Sequence, residues 1–335
     1  MQYFRSRTHR SGTTYYYFDK GGKPRKEIPL GKDYVLAVRK WSELIAAEEK
    51  KAVANFKDLA DKYEREVVPL KAKSTQTLQA SDIKLLREFF CTPSPAPLDE
   101  IKPSHIHALL QWKKHQAPTA NRLKRTFSHM FNMARAWGYT EKANPCAGIK
   151  GLPVKKREQY ITDEVYRAVW NVAAWPLRDA MDLAYLTGQR PADTVGMTDD
   201  DIEDGRLKVT QGKTGAKLRI RIEGELAVLL ERIKSRKDAA KMWSSALVVN
   251  QAGEALSQKA LAEVYKRART KAAKLNPKLA DQIKTMRFYD LRAKAADDVS
   301  EVRGEAAAAE LLGHDSVTTT QRHYLRKGRV VGPTK

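Results

Sequence analysis

The apolar positions of this chain change their spacing twice. Between Thr14 and Leu30 they lie in short runs of β-formers, TYYYF and EIPL, separated by Asp19-Lys20-Gly21-Gly22. That pattern predicts a small hairpin or three-stranded sheet with a turn at the glycines. A helix follows, with Asp33 as its cap and VLAVRKWSELIAAEE as its body. From about 52 to 145 the apolar spacing becomes three to four. VANFKDLADKYEREVV, STQTLQASDIKLLREFF, KPSHIHALLQWKKH and PTANRLKRTFSHMFNMARAWG each read as an amphipathic helix. Ser104 and Thr119 suit helix starts, and Gly138 follows the last apolar turn. Residues 146–158, CAGIKGLPVKKRE, carry glycine, proline and the cluster Lys155-Lys156-Arg157, which reads as a basic linker. Beyond it the pattern is mixed. Helices are expected over 163–175, 176–187, 225–235, 257–273, 290–298, 302–312 and 317–326, with two or three short strands within 201–224. The expected class is mainly α with small β-sheets (α+β).

Size and charge narrow the function. A chain of 335 residues with 42% hydrophobic content can form two domains and a small third. Its 62 lysines and arginines exceed its 40 acidic residues by 22, and they recur along the whole length. A folded chain with that excess is suited to a polyanion, nucleic acid first, with acidic protein or ribosomal surfaces as the alternative. Arg5, Arg7, Arg10, Lys23, Arg25 and Lys26 edge the N-terminal sheet. A basic sheet can enter a DNA groove; equally, its tyrosines can serve only to pack on the following helix. Lys113, Lys114, Arg122, Lys124 and Arg125 give the helical segment basic faces.

Several chemistries are set aside. Cys91 and Cys146 are far apart and outside any CxxC pattern, which argues against a disulfide framework or a cysteine zinc site. No apolar run reaches the roughly 18 residues of a membrane span, and the basic start lacks a signal peptide's apolar core. The expectation is a soluble, intracellular protein with no membrane partner. The run TDDDIEDG lacks calcium-loop spacing and reads as a turn before a strand, and His105 and His107 do not form a ligand pair. There is no GxxxxGK[ST]. Cleavage of nucleic acid by this chain is therefore expected to use neither metal, cofactor nor ATP.

Four stretches could carry chemistry. In LAYLTGQRPADTVGM, Gly188 stops one helix and Pro191 opens the next, placing Arg190 at a helix N-terminus that favours an anion. A guanidinium there can clamp a phosphate, or be a surface arginine beside a turn. QGKTG reads as a hairpin tip bearing Lys213. In FYDLRAKAADD, Arg292 stands near a helix start, just after Tyr289. LLGHDSVTTTQRHYLRK ends one helix at Gly313, starts another at Ser316, and puts His314 in the turn between them. Tyr324 follows in a basic segment with few apolar neighbours. From the residues alone it can be a packing residue, a base-stacking residue or a nucleophile.

Taken in order, these pieces resemble the tyrosine recombinase family, phage-type integrases in particular. TGQRPAD resembles the first arginine box, implying Arg190 as a phosphate clamp supported by Asp193. QGKTG resembles the hairpin lysine box, implying Lys213 as proton donor to the leaving 5′-oxygen. YDLR resembles the HxxR box, implying Arg292 as second clamp, with Tyr289 where the family most often has histidine. LLGH supplies His314, and the final HY supplies Tyr324 as nucleophile. The interval from His314 to Tyr324 is one residue longer than the commonest family spacing, so His323 occupies the usual nucleophile position. The resemblance covers about 158–330. It implies an arm-type DNA-binding region (1–50), a helical core-binding domain (52–145), a linker (146–158) and a catalytic domain (159–335). The implied activity is integration, and excision, of a phage or mobile element through a covalent 3′-phosphotyrosine. Double-stranded attachment sites, a homotetramer on DNA, an excisionase and a DNA-bending host protein are the implied partners, in the cytoplasm of a bacterial host and at its nucleoid. A non-catalytic DNA-binding regulator and a type IB-like topoisomerase are the alternatives.

Overall fold

A computed structural model describes residues 1–22, 27–52, 55–328 and 333–334. The basic positions Lys23, Arg25 and Lys26, and the first two residues of the stretch VANF, lie outside the described residues. The chain divides into two compact units, Met1–Lys155 and Lys156–Lys335.

In the first unit, β1 (Phe4–Thr8), β2 (Thr14–Asp19) and β3 (Glu27–Gly31) form an antiparallel sheet in that order. α1 (Tyr34–Ala52) starts where the Asp33 carboxylate accepts the Leu36 N–H at 2.9 Å. Alternation along β2 divides its aromatics between two roles. Phe18 joins Leu30 and Ala37 in a small core with Tyr16 and Trp41 packed against it, while Tyr15 is exposed and Tyr17 lies under the Arg7 guanidinium, 5.2 Å from its ring centre.

The helical part comprises α2 (Phe56–Glu66), α3 (Lys73–Phe90), α4 (Pro103–Trp112) and α5 (Ala117–Ala136). Their apolar stripes meet in a core containing Phe56, Leu59, Tyr63, Leu86, Phe127 and Phe131. Two expected helix starts move. Pro103 and Pro118 occupy the first turns of α4 and α5, leaving Ser104 and Thr119 inside them. Proline fits there because its fixed φ is helical and its missing N–H would have no partner in any case. Arg122 does not belong to a free basic face: its Nε donates to both oxygens of the buried Asp82, at 2.8 and 3.0 Å. Lys124 likewise donates to the Ile149 carbonyl.

The second unit holds α6 (Asp163–Val172), α7 (Trp175–Thr187), α8 (Pro191–Val195), β4 (Ile202–Glu203), β5 (Arg206–Thr210), β6 (Lys217–Arg221), α9 (Gly224–Ala239), α10 (Gln258–Leu275), α11 (Ala280–Thr285), α12 (Asp290–Leu312) and α13 (Val317–His323). The three strands form an antiparallel sheet in chain order. Leu207 and Val209 of β5 face a core with Met181, Leu229, Ile233 and Leu291. α6 stops three residues short of 175, because Pro176 has no N–H for the Val172 carbonyl. The two helices expected over 290–298 and 302–312 are present within α12, but they meet at a kink at Gly304 (φ 85°, ψ 164°), so the first runs past 298 and the second starts later than 302. α11 is a single short turn-like helix that the apolar spacing does not announce. α13 ends at His323, not at 326, so Tyr324 is its C-cap. Among the described residues no helix is long and apolar enough to cross a membrane.

Candidate active site

The site is built on two glycine-capped helix ends of the second unit. α7 ends at Gly188 with φ 66°, where an added Cβ would lie 3.1 Å from the side chains of Leu311 and Leu312. α12 ends the same way at Gly313, with φ 63°. Only glycine adopts this left-handed backbone without strain. The two caps bring the free carbonyl ends of two helices together. Arg292 fills the space between them, donating from Nη1 to Gly188 O and from Nη2 to Leu312 O, each at 2.7 Å.

Arg292 is fully buried, and among the described residues no carboxylate touches it. The helix C-termini give it partial negative charge, but among the described residues its Nε has no hydrogen-bond partner. Burial depresses its proton affinity below that of an ordinary arginine. A buried cation without a counter-ion is costly, and an incoming anion would relieve the cost.

His314 sits 3.2 Å from Arg292 Nη2 through its Nε2. A guanidinium nitrogen only donates, so Nε2 accepts and the proton resides on Nδ1, which donates to Thr320 Oγ1 at 2.8 Å. Burial, and then the charge of Arg292, push the imidazole down to about 4, so it is neutral at pH 7.

Tyr324 is 6% exposed and packs with Ala293, Ala296, Ala308 and Leu312. Its ring centre lies 5.3 Å from the Arg292 guanidinium and 4.9 Å from the His314 ring. Its N–H donates to Thr320 O at 2.8 Å, so Thr320 fixes both His314 and Tyr324. The hydroxyls of Tyr289 and Tyr324 are 2.5 Å apart. Burial alone would raise the Tyr324 phenol. The hydrogen bond from Tyr289 and the charge of Arg292 outweigh it and hold Tyr324 below the ordinary tyrosine value. Burial, then the bond to Tyr324, raise Tyr289. The two tyrosines are thus distinguished: Tyr324 takes the negative character and Tyr289 donates to it. His323, in the usual nucleophile position of the resemblance, is exposed.

Arg190 caps α8 and donates from Nη1 to Gln211 Oε1 at 2.6 Å. The Asp193 carboxylate stands 3.8 Å from Arg190 Nη1, an ion pair too long for a hydrogen bond. Its Oδ1 also accepts the Gly212 N–H at 3.0 Å, fastening the hairpin to α8. Lys213 occupies the exposed tip between β5 and β6 and makes no hydrogen bond or ion pair among the described residues. Three contributors stand outside the sequence reading: Gln189, Gln211 and Thr320. For Gln211 a signal existed, because the buried positions Leu207 and Val209 continue in register to 211.

The sequence pattern of the Phage integrase family matches residues 159–329. The integrase of Enterobacteria phage 434 is 27% identical over 336 residues, covering 94% of this chain and 92% of that protein. The fold is similar to that of a lambda integrase dimer bound to a COC′ core site, at a TM-score of 0.71 and 23% identity over 98% of this chain and 97% of the other. A lambda integrase tetramer bound to a Holliday junction gives the same TM-score, identity and coverage. With the family pattern spanning half of the chain and every element of the site, the chain belongs to the phage integrase family, the site-specific tyrosine recombinases.

Proposed function

We propose that Tyr324 is the nucleophile of a DNA integrase, with Arg190 and Arg292 clamping the scissile phosphate. The observation that carries this is Arg292, a buried guanidinium with an unpaired Nε lying against a tyrosine whose phenol is tuned towards ionisation. Tyr324 Oη attacks phosphorus, the bond to the 5′-oxygen breaks, and a 3′-phosphotyrosine forms. The phenol proton goes to His314 Nε2, a neutral acceptor beside Arg292 whose proton affinity rises once a phosphate enters. The imidazolium and the two arginines then stabilise the charge on the non-bridging oxygens. Tyr289 steadies the phenolate through its hydroxyl. Lys213, free at the hairpin tip, protonates the departing 5′-oxygen. Attack by a second 5′-hydroxyl reverses these steps and rejoins the strand without ATP.

On this reading the N-terminal sheet contacts arm-type DNA and the helical segment 52–145 contacts the core site, with 146–158 as linker. The lambda integrase structures are of a dimer on a core site and a tetramer on a Holliday junction. A homotetramer joining two attachment sites would serve this chain in the same way. An excisionase and a DNA-bending host protein would set direction and geometry at the host nucleoid.

The test is recovery of protein from producing cells in hot detergent without crosslinker, followed by sequencing of any attached DNA. Wild type is expected to carry DNA ending at one or two sites, and Tyr324→Phe none, although both bind DNA natively. Scattered attachment would indicate a topoisomerase. Binding without attachment by either form, with the target site present, would indicate a regulator.

A further inference from the structure

We infer that Gln211 is a positioning residue of the recombination site, its one side-chain amide holding the Arg190 guanidinium and the Lys213 hairpin in register. The inference rests on the roles given to Arg190 and Lys213 above. Gln211 is fully buried, and all four hydrogen-bonding places of its amide are filled. Oε1 accepts from Arg190 Nη1 at 2.6 Å and from Thr214 Oγ1 at 2.8 Å. Nε2 donates to Gln189 Oε1 at 2.8 Å and to Leu312 O at 2.9 Å. The orientation of the amide is not arbitrary. Arg190 can only donate and the Leu312 carbonyl can only accept, so a flipped amide would set like against like at both.

One residue therefore joins three separate stretches: the α7–α8 turn that carries Arg190, the hairpin that carries Lys213, and the end of α12 that leads to His314. The hairpin hangs from it by backbone as well, with Gln211 N–H donating to Ala216 O at 2.9 Å and Gly215 N–H to Gln211 O at 2.8 Å. Lys213 is thus flanked by two anchored neighbours, Gly212 on Asp193 and Thr214 on Gln211. The approach to α12 is close. A Cβ on Gly313 would stand 2.9 Å from Gln211 Nε2.

A neutral amide suits this place better than a carboxylate. It holds one nitrogen of Arg190 without adding a second negative charge to that of Asp193, 3.8 Å away, and leaves the other two nitrogens without a protein acceptor among the described residues. Glutamate would keep the shape, but it would give Arg190 a second carboxylate besides Asp193 and face the Leu312 carbonyl with a second acceptor.

The test uses full-length protein and half-site DNA of the sequence recovered above, with either an ordinary scissile phosphate or a 5′-bridging phosphorothiolate. The sulfur leaves as a thiolate and needs no proton, so the second substrate bypasses Lys213 but not Arg190. The rate of covalent complex formation is read, with DNA affinity and thermal midpoint alongside. Lys213→Ala should recover on the sulfur substrate and Arg190→Ala should not. Gln211→Met should lose on the order of 100-fold on ordinary DNA and recover only in part on the sulfur substrate, while still folding and binding. Thr214→Val, at an exposed position, should lose roughly 5-fold, the worth of one hydrogen bond, and recover fully. Cleavage of ordinary DNA by Gln211→Met at the wild-type rate would overturn the inference. Full recovery on sulfur would overturn its Arg190 half. If Gln211→Met fails to fold, Thr214→Val decides, and an unaltered rate there would overturn the hairpin half, with Gln211→Glu deciding the other by keeping or losing ordinary cleavage. Wild-type cleavage by both Lys213→Ala and Arg190→Ala would instead sink the site assignment, whatever Gln211 does.

Discussion

α12 carries two kinds of buried charge within five residues. Asp290 is fully buried and saturated: Arg157 donates to it from Nε at 2.7 Å and from Nη2 at 2.5 Å, Arg326 from Nη1 at 2.8 Å, and the Arg287 N–H at 2.7 Å. Lys294, one turn on, is held by Asp163 at 2.6 Å and Asp298 at 2.8 Å. Among the described residues Arg292, between them, meets two carbonyls, a neutral imidazole and the phenol of Tyr324, and no carboxylate. The flanking groups are compensated charges, and compensated charges hold a fold in one arrangement. The middle one is a charge kept short of its partner, which is what a site prepared for a phosphate requires.

Separating activity from stability would break or sharpen this comparison. Arg292→Met is expected to lower cleavage by about 1,000-fold, with a small change in urea midpoint. Asp290→Ala should do the reverse in emphasis. It strands Arg157 and Arg326 and should destabilise the second unit by about 3 kcal/mol, with activity lost only in proportion to unfolding. A larger loss of stability from Arg292→Met than from Asp290→Ala would refute the distinction.

His314 extends it to pH. Unfolded, the imidazole takes up a proton near 6.5; folded, it resists until about 4. The unfolded state therefore binds more protons between those values, and stability falls as pH drops through that window. Replacing His314 by Gln should flatten the fall, as read by thermal midpoints from pH 7 to pH 4. An equal fall in both proteins would place the acid sensitivity elsewhere.

Tyr289→Phe gives the smallest effect. Loss of one hydrogen bond to the phenolate, worth about 1 kcal/mol, should slow cleavage roughly 5-fold at pH 7 and move the cleavage profile towards higher pH. A profile that shifts to lower pH would reverse the assigned donor.

The sequence made some of these parts legible and hid others for physical reasons. Gly188 and Gly313 announced helix ends, and the order of Arg190, Lys213, Arg292, His314 and Tyr324 carried the resemblance. The burial of Arg292 was not legible, because its partners are backbone carbonyls of helices remote in sequence. Tyr324 read as having few apolar neighbours, yet it packs on alanines of α12, which no local spacing reveals. Asp193 was expected at Arg190, and it stands within ion-pair distance of it; its hydrogen bond to the hairpin was not foreseen. Gln211 read as part of a hairpin tip, although it continues a strand's inward alternation, and Thr320 lay inside the expected helix 317–326 with no role assigned. Arg122 and Lys124 read as basic surface and are internal ties.

The most direct test asks whether Arg292 answers the charge of the phosphate. Half-site DNA with a neutral methylphosphonate at the scissile position would be offered to wild type and to Arg292→Ala, and covalent complex measured on denaturing gels. The account predicts that Arg292→Ala is inactive on ordinary phosphate and regains cleavage on the methylphosphonate, where no anion needs a clamp. Failure on both substrates by a folded, DNA-binding Arg292→Ala would contradict it, and would make Arg292 a structural tie between two helix ends.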